Sequence, residues 1–289
     1  MTLGSVAELE AVLHRHSYLP EHGLAVTSFL ALTLQRPLLL EGEPGVGKTE
    51  LARTLAAALG RRLIRLQCYE GIDASQALYE WDYARQLLHA RALQDGTAAG
   101  DTGALYGPQF LVERPLLAAV RAGDQALLLI DELDRADDEF EAFLLEVLAD
   151  FQVTIPEVGT VVAERPPAVV ITSNRTRELH DALKRRCLYH WIDYPEVDRE
   201  AEIIRLRAPG TSPALAHAIA VAVARLRDAD LLKPPGPAES VDWARAVGAL
   251  GGTSLEVQVA EAALGALVKH PDDIRAARAA LPEIIDAIA

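Results

Sequence analysis

Hydrophobic positions along this chain fall into two textures. From about residue 36 to 193, short and mostly unbroken apolar runs alternate with stretches of helical period. The runs lie at 37–40, 63–66, 126–130, 168–171 and 188–192. Runs without polar alternation suit strands covered on both faces, as in a parallel sheet. Between them, 49–59 places Leu51, Leu55 and Leu59 on one face and stops at Gly60, a residue suited to end a helix. Residues 137–148 open with acids and put Phe140, Leu144 and Val147 on one face; early acids complement the positive end of a helix dipole. Strands alternating with helices predict an α/β fold, a parallel sheet with helices on both sides.

After Pro195 the texture becomes helical throughout, with helices expected near 198–208, 213–228, 239–250, 255–269 and 271–287. The stretch Lys233-Pro234-Pro235-Gly236-Pro237 breaks two of them apart. The chain therefore divides into an αβα core over 1–195 and a smaller all-helical unit over 196–289. The segments at 152–155 and 160–163 flank Pro156-Glu157-Val158-Gly159, the pattern of a β-hairpin between two core strands. The small and polar residues at 94–103 mark a flexible loop or insertion.

With 289 residues, half of them apolar and a quarter charged, the chain can bury a substantial core. Its formal net charge of −14 disfavours general nucleic-acid binding, which needs basic residues to displace counterions. An acidic surface also repels anionic lipid. Cys68 and Cys187 are too few and too far apart for a disulfide scaffold and read as buried reduced thiols. The first residues lack the basic start and apolar run of a signal peptide, and no run approaches bilayer length. A cytoplasmic protein is expected.

The chemistry concentrates at strand ends. Gly42-Glu43-Pro44-Gly45-Val46-Gly47-Lys48-Thr49 fits G-x-x-x-x-G-K-[ST] between a predicted strand and a predicted helix. Glycines let backbone N–H groups turn inward around phosphates, and the helix points its positive end at them. Lys48 can reach the β- and γ-phosphates of ATP, and the Thr49 hydroxyl can ligate Mg2+; Glu50 follows in the same turn. The run 127–130 ends in Asp131-Glu132. There Asp131 would hold Mg2+, directly or through water, and Glu132 would take the proton of the attacking water. The next strand ends in Thr172-Ser173-Asn174, where the Asn174 amide could orient that water. Lys184-Arg185-Arg186 precedes the last core strand. An arginine at a domain edge can reach a neighbouring subunit's γ-phosphate and stabilise transition-state charge.

These segments, GEPGVGKT, LLLIDELDRA, ITSNRT and ALKRRC in this order, resemble a MoxR-type AAA+ ATPase. Residues 67–88 and 173–195 are similar to the CoxD branch, associated with carbon monoxide dehydrogenase and related molybdenum hydroxylases. The resemblance implies a three-layer αβα P-loop core with a helical lid, assembled as a hexameric ring with ATP between subunits. It implies an insert in the second core helix, here near 94–112, and a hairpin, here near 152–163. It also implies a remodelling motor with a von Willebrand A-type partner and, in this branch, a molybdenum hydroxylase client. Carried over by position, Lys48 and Thr49 contact phosphate and Mg2+, Asp131 and Glu132 are the Mg2+ partner and base, and Asn174 is the sensor. Arg186 or Arg185 is the trans-acting finger.

One departure matters. Relatives carry a sensor arginine in a Ser-Pro-Arg setting at the third lid helix, where this chain reads Ala238-Glu239-Ser240-Val241-Asp242-Trp243. Arg245 lies just beyond, as a substitute or as a surface residue. Tyr79, Trp81 and Tyr83 serve core packing or client contact, and His14, His16 and His22 lack the partners of a metal site. A nucleic-acid motor and a nucleotide switch are the competing readings; Glu132 favours turnover over a switch. The phosphate loop does not distinguish ATP from GTP.

Overall fold

The computed structural model describes residues 4–94 and 105–288. Two helices open the chain, α1 (Val6–Arg15) and α2 (His22–Leu34), followed by β1 (Leu38–Gly42), α3 (Lys48–Leu59) and β2 (Arg62–Gln67). Then come α4 (Ala74–Leu78), β3 (Tyr79–Trp81), α5 (Tyr83–Gln94), β4 (Leu111–Glu113), α6 (Pro115–Ala122) and β5 (Ala126–Asp131). They are followed by α7 (Asp138–Asp150), β6 (Gln152–Ile155), β7 (Gly159–Val162), β8 (Ala168–Ser173), α8 (Asp181–Arg186) and β9 (Leu188–Ile192). The remainder is helical: α9 (Val197–Arg207), α10 (Pro213–Arg227), α11 (Pro237–Ala249), α12 (Val257–Ala262), α13 (Leu264–Leu267) and α14 (Pro271–Asp286).

Two compact units result, and they interleave in sequence. One comprises the chain up to Val12, Glu21–Glu41 and Leu51–His190; the other comprises Leu13–Pro20, Gly42–Glu50 and everything from Trp191. The segment Gly42–Glu50 groups with the helical unit: the Gly45 carbonyl accepts the Ala238 N–H of α11, and the Glu50 carboxylate accepts from Arg207 of α9.

In the first unit the strands run in the order β2-β5-β8-β1-β9. The pairs β2–β5, β5–β8 and β8–β1 are parallel. Every residue of β1 and β5 is buried. Leu39, Leu128, Ile130, Val169 and Ile171 share a core with Leu116, Phe140, Leu144 and Leu183. The alternate residues Leu38, Leu40, Leu127, Leu129 and Val170 are buried equally well. Both faces of the sheet are therefore covered, and each such side chain contributes about 1.5–3 kcal/mol of transfer free energy. Asp137 caps α7, its carboxylate accepting the Phe140 N–H at 2.9 Å, a cap worth about 1 kcal/mol.

Register decides where the chemistry lies. Gln67 pairs with Asp131, Ile130 with Ile171 and Glu41 with Ser173, so four strands end together. Ligands of open α/β sheets bind outside such carboxyl ends.

Off the main sheet, β6 pairs antiparallel with β7 and β3 with β4. A small cluster of Trp81, Phe110, Leu117, Val120, Val147, Val153 and Ile155 packs them. The insertion expected near 94–112 falls partly on 95–104, outside the described residues; on either side, α5 reaches Gln94 and β4 starts at Leu111. Residues 255–269 do not form one helix: α12 stops at Ala262 and α13 is four residues long.

The second unit has its own core around Trp243, Ile204, Ile219, Val223, Leu226 and Leu281. Arg227 donates two-pronged to Glu200 at 2.6 and 2.7 Å, and the Ser240 hydroxyl adds a third donor at 2.5 Å. These three donors satisfy the buried carboxylate in place of water. Buried Asp273 accepts the N–H groups of Leu232 and Lys233 at 2.8 and 3.0 Å; thus the proline-rich break is held. No helix among the described residues is long and apolar enough to cross a membrane.

Candidate functional site

The phosphate loop connects β1 to α3. A Cβ on Gly42 would lie 2.3 Å from the Ile192 carbonyl oxygen, so only glycine fits as the chain leaves the strand. Gly45 has φ +80, and a Cβ there would sit 2.6 Å from Glu239 Oε2; both its backbone and its neighbours exclude a side chain. Glu43 and Pro44 are exposed and Val46 and Gly47 half-buried. Lys48 is buried, and its Nζ donates to the carbonyls of Gly42 at 2.7 Å and Glu43 at 2.8 Å. The ammonium thus lies over the turn. Thr49 follows in the first turn of α3, and Glu50 accepts from Arg207 Nη2 of α9 at 2.8 Å.

The acid pair is built differently. Asp131 ends β5 and is 2% exposed. The Thr172 hydroxyl donates to its Oδ1 at 2.6 Å. Arg65 donates to its Oδ2 twice, from Nε at 2.9 Å and Nη2 at 2.6 Å. Glu132 turns left-handed, φ 55, a conformation costing a non-glycine residue about 1–3 kcal/mol. Its N–H donates to the same Thr172 oxygen at 2.9 Å. Its carboxylate Oε2 accepts from Gln67 Nε2 at 3.2 Å and lies 3.0 Å from Arg135 Nε. One threonine thus ties the pair to the next strand, and Gln67 of β2 holds the second acid from the other side.

Past β8, buried Asp134 gathers the following loop. It accepts from the backbone N–H of Asn174 at 3.2 Å, the N–H of Thr176 at 2.9 Å and the Thr176 hydroxyl at 2.7 Å. The Asn174 side-chain amide has no hydrogen-bond partner among the described residues. Arg185 and Arg186 end α8, both exposed. Arg36 binds the carbonyls of Arg185, Arg186 and Cys187 at 2.7, 3.1 and 3.2 Å, which fixes this helix end. Arg186 Nη1 donates to the Leu145 carbonyl at 2.5 Å. The Arg185 guanidinium has no hydrogen-bond or ion-pair partner among the described residues.

Other residues singled out from the sequence sort themselves. Arg245 is bound to Asp242 at 3.3 Å and to the Arg207 carbonyl at 2.7 Å, whereas Arg207 of α9 reaches Glu50. Trp81 is buried against Tyr106 and Phe110, whereas Tyr83 is exposed. His14, His16 and His22 are exposed, His22 beside Glu10 at 2.9 Å. Cys68 and Cys187 are buried thiols. Burial, with Asp131, Asp134, Glu132 and Glu141 nearby, pushes Cys68 up to about 12; burial does the same to Cys187. Thr172, Arg65, Gln67, Asp134 and Arg207 are the residues that pattern reading missed.

Among the described residues no cluster of three or more His, Cys, Asp or Glu could hold a metal by itself. Asp131 and Thr49 each carry a hard oxygen, the donor type that Mg2+ takes beside phosphate. The donor chemistry fits Mg2+ carried by a nucleotide.

Comparison with known proteins agrees with this layout. The model of the AAA domain (dynein-related subfamily) matches residues 37–187, more than half of the chain. The chain belongs to this AAA family. The matched span runs from the strand before the phosphate loop to the end of α8, so it takes in the loop, the acid pair, Asn174 and the arginine pair. NorQ of Paracoccus denitrificans is 26% identical over 65% of the chain and 63% of its own length, which supports the MoxR-type resemblance. An uncharacterized protein of Staphylococcus haemolyticus is 29% identical over 60% of the chain and 61% of its own length. The chain thus spans somewhat over three-fifths of these relatives. Chaperone protein ClpB 2 of Thermosynechococcus vestitus is 34% identical over 47% of the chain and 13% of its length. Among solved structures, a Thermotoga maritima RuvB aligns with a TM-score of 0.52 at 17% identity, covering 91% of the chain and 73% of RuvB. That likeness shows the fold: an AAA-type P-loop α/β domain followed by helices.

Proposed function

We propose that this AAA protein is a Mg2+-dependent ATPase of the MoxR type that remodels a partner protein. The observation that carries the hydrolytic part is the acid pair: Asp131 and Glu132 share the Thr172 hydroxyl, and Gln67 holds the Glu132 carboxylate. A turn that only bound nucleotide would need no second acid held in a left-handed conformation. In this reading Lys48 and the loop N–H groups of Gly42, Glu43, Gly45, Val46 and Gly47 bind phosphate, Pro44 has no N–H to donate and shapes the turn, and Thr49 and Asp131 would ligate Mg2+. Glu50 steadies the first turn of α3. Bound with the nucleotide, Mg2+ neutralises charge on the phosphate oxygens. Glu132 takes a proton from water as its oxygen bonds to the γ-phosphorus, and the bond to the bridging oxygen of ADP breaks. Asn174 orients the water, and Arg185 or Arg186 serves a neighbour's site in a hexameric ring.

The remodelling part is supported by sequence likeness to ClpB chaperones and NorQ, and by an acidic chain poorly suited to nucleic acid. The MoxR-type resemblance implies a von Willebrand A-type partner, and the CoxD-like segments at 67–88 and 173–195 imply a molybdenum hydroxylase client in need of its metal site.

The test is a pair of variants. Glu132→Gln is expected to bind Mg·ATP almost as wild type and to turn it over at least about a hundredfold more slowly, the effect of losing a general base. Lys48→Ala is expected to lose nucleotide binding itself. An unchanged single-turnover rate in Glu132→Gln removes that acid from the chemistry, and wild-type affinity in Lys48→Ala makes the loop a mere turn. With Glu132→Gln as a trap, affinity capture with ATP should retain the von Willebrand A-type partner; capture equal with and without ATP argues against a nucleotide-driven motor.

A further inference from the structure

Arg65 stands where neither the phosphate loop nor the acid pair requires a cation. It lies on β2, opposite Leu129 and two residues before the Gln67–Asp131 pairing. Its side chain is 43% exposed while its partner Asp131 is 2% exposed. Nε and Nη2 both donate to one oxygen, Asp131 Oδ2. Nη2 also donates to the side-chain Oε1 of Gln67, and with that end of the amide held, Gln67 Nε2 donates to Glu132. Arg65 therefore neutralises the first acid directly and orients the contact to the second.

A carboxylate oxygen that accepts two N–H donors has both lone pairs engaged. A divalent cation bound directly to Oδ2 would meet the guanidinium at the same atom, and the two cations repel and compete for it. Charge-assisted pairs of this geometry are the strong ones, and one partner here is removed from water. Competition for a ligand atom lowers the apparent affinity for the second ligand by the fraction of molecules in which that atom is available.

We propose that Arg65 is the resident counter-ion of Asp131, and that Mg2+ must displace it from Oδ2 as the metal–nucleotide binds. The inference rests on the ATPase reading above. It makes Arg65 a positioning residue that sets how much free Mg2+ is needed for loading. It also couples loading to the base: when Arg65 leaves Oδ2, its hold on Gln67 and so on Glu132 changes in the same step.

The measurement is binding of a fluorescent ATP analogue by the full chain, titrated with Mg2+ from a chelated start. In Arg65→Gln, the Mg2+ concentration giving half of the Mg2+-dependent rise in affinity is expected to fall about fivefold, the size of a half-exposed ion pair. Affinity in chelator is expected to stay as in wild type. Arg65→Lys keeps a charge but cannot place two donors on one oxygen, so it should fall between; if Arg65→Gln fails to fold, Arg65→Lys against wild type carries the comparison. A half-effect concentration that is unchanged or raised overturns the proposal, because Arg65 would then only shape Asp131 for the metal. A wild-type chain that binds no nucleotide at any Mg2+ concentration overturns the ATPase reading instead.

Discussion

The hydroxyl of Thr172 lies 2.6 Å from Oδ1 of Asp131, and its oxygen is also the acceptor for the N–H of Glu132 at 2.9 Å. One side chain on β8 therefore holds both acids at the end of β5. Thr172→Val keeps the shape and removes the hydroxyl. It leaves the Glu132 N–H without its acceptor and the Asp131 oxygen without its donor. A buried polar group deprived of its partner costs about 1–3 kcal/mol. The expected outcome is a lower melting temperature and ATP turnover reduced about tenfold or more, with nucleotide affinity changed less. Stopped-flow turnover beside equilibrium binding decides it; equal losses in both would mean that Thr172 supports only the fold.

The two arginines at the end of α8 are not equivalent. Arg186 is bound to the Leu145 carbonyl of its own chain, whereas the Arg185 guanidinium has no such partner among the described residues. If a finger acts between subunits, Arg185→Ala should lower hydrolysis by about 10³-fold or more while Arg186→Ala lowers it less. Mixing supplies the readout. Arg185→Ala subunits combined with Glu132→Gln subunits should regain part of the activity, since some interfaces then pair an intact base with an intact finger. Mixed rings verified by sedimentation that stay inactive would exclude a trans-acting Arg185. In that event Arg186 is the residue to pair in the same experiment.

Cys68 and Cys187 give a pH prediction. Only a thiolate reacts with an alkylating reagent, and both thiols are pushed up to about 12. Neither should be labelled at mildly alkaline pH in the native chain, and both should be labelled in denaturant. The folded state holds these protons more tightly than the unfolded state does. Their contribution to stability is therefore complete below about pH 9 and is lost progressively as pH rises toward about 12. Mass spectrometry of alkylated protein and melting curves across that window test both halves. Rapid native labelling at either cysteine would mean that its surroundings open readily.

Much of the fold was legible because it is written locally. Unbroken apolar runs mark β1, β5 and β8, and the phosphate loop carries its own glycines. Asp131 and Glu132 were readable because an apolar strand that ends in two acids is a contrast within six residues. Thr172, Arg65 and Gln67 were not, because each acquires its role from strand register. Gln67 lies across from Asp131 only once β2 pairs with β5. Asp134 reads as a solvated acid, yet it is 3% exposed and organises the loop after β8. Helix α2 was unreadable for another reason: His22–Leu34 is apolar on nearly every side, so it has no polar face to set a period. The grouping of Gly42–Glu50 with residues 191–289 was also hidden, since it depends on contacts nearly two hundred positions away in the chain.

A Cβ on Gly236 would lie 2.7 Å from the Pro44 carbonyl oxygen and 3.0 Å from the Gly45 Cα, and one on Gly45 would meet Glu239. Two backbones meet there without a side chain between them. To a mutational scan, the linker before α11 should therefore look unlike a linker. Alanine at Gly236 should be scored with the phosphate-loop variants, while exposed Leu232 and Lys233 three or four positions earlier tolerate exchange. For anyone transplanting the phosphate loop or exchanging the helices after Trp191, Gly45 and Gly236 travel as one unit of inheritance.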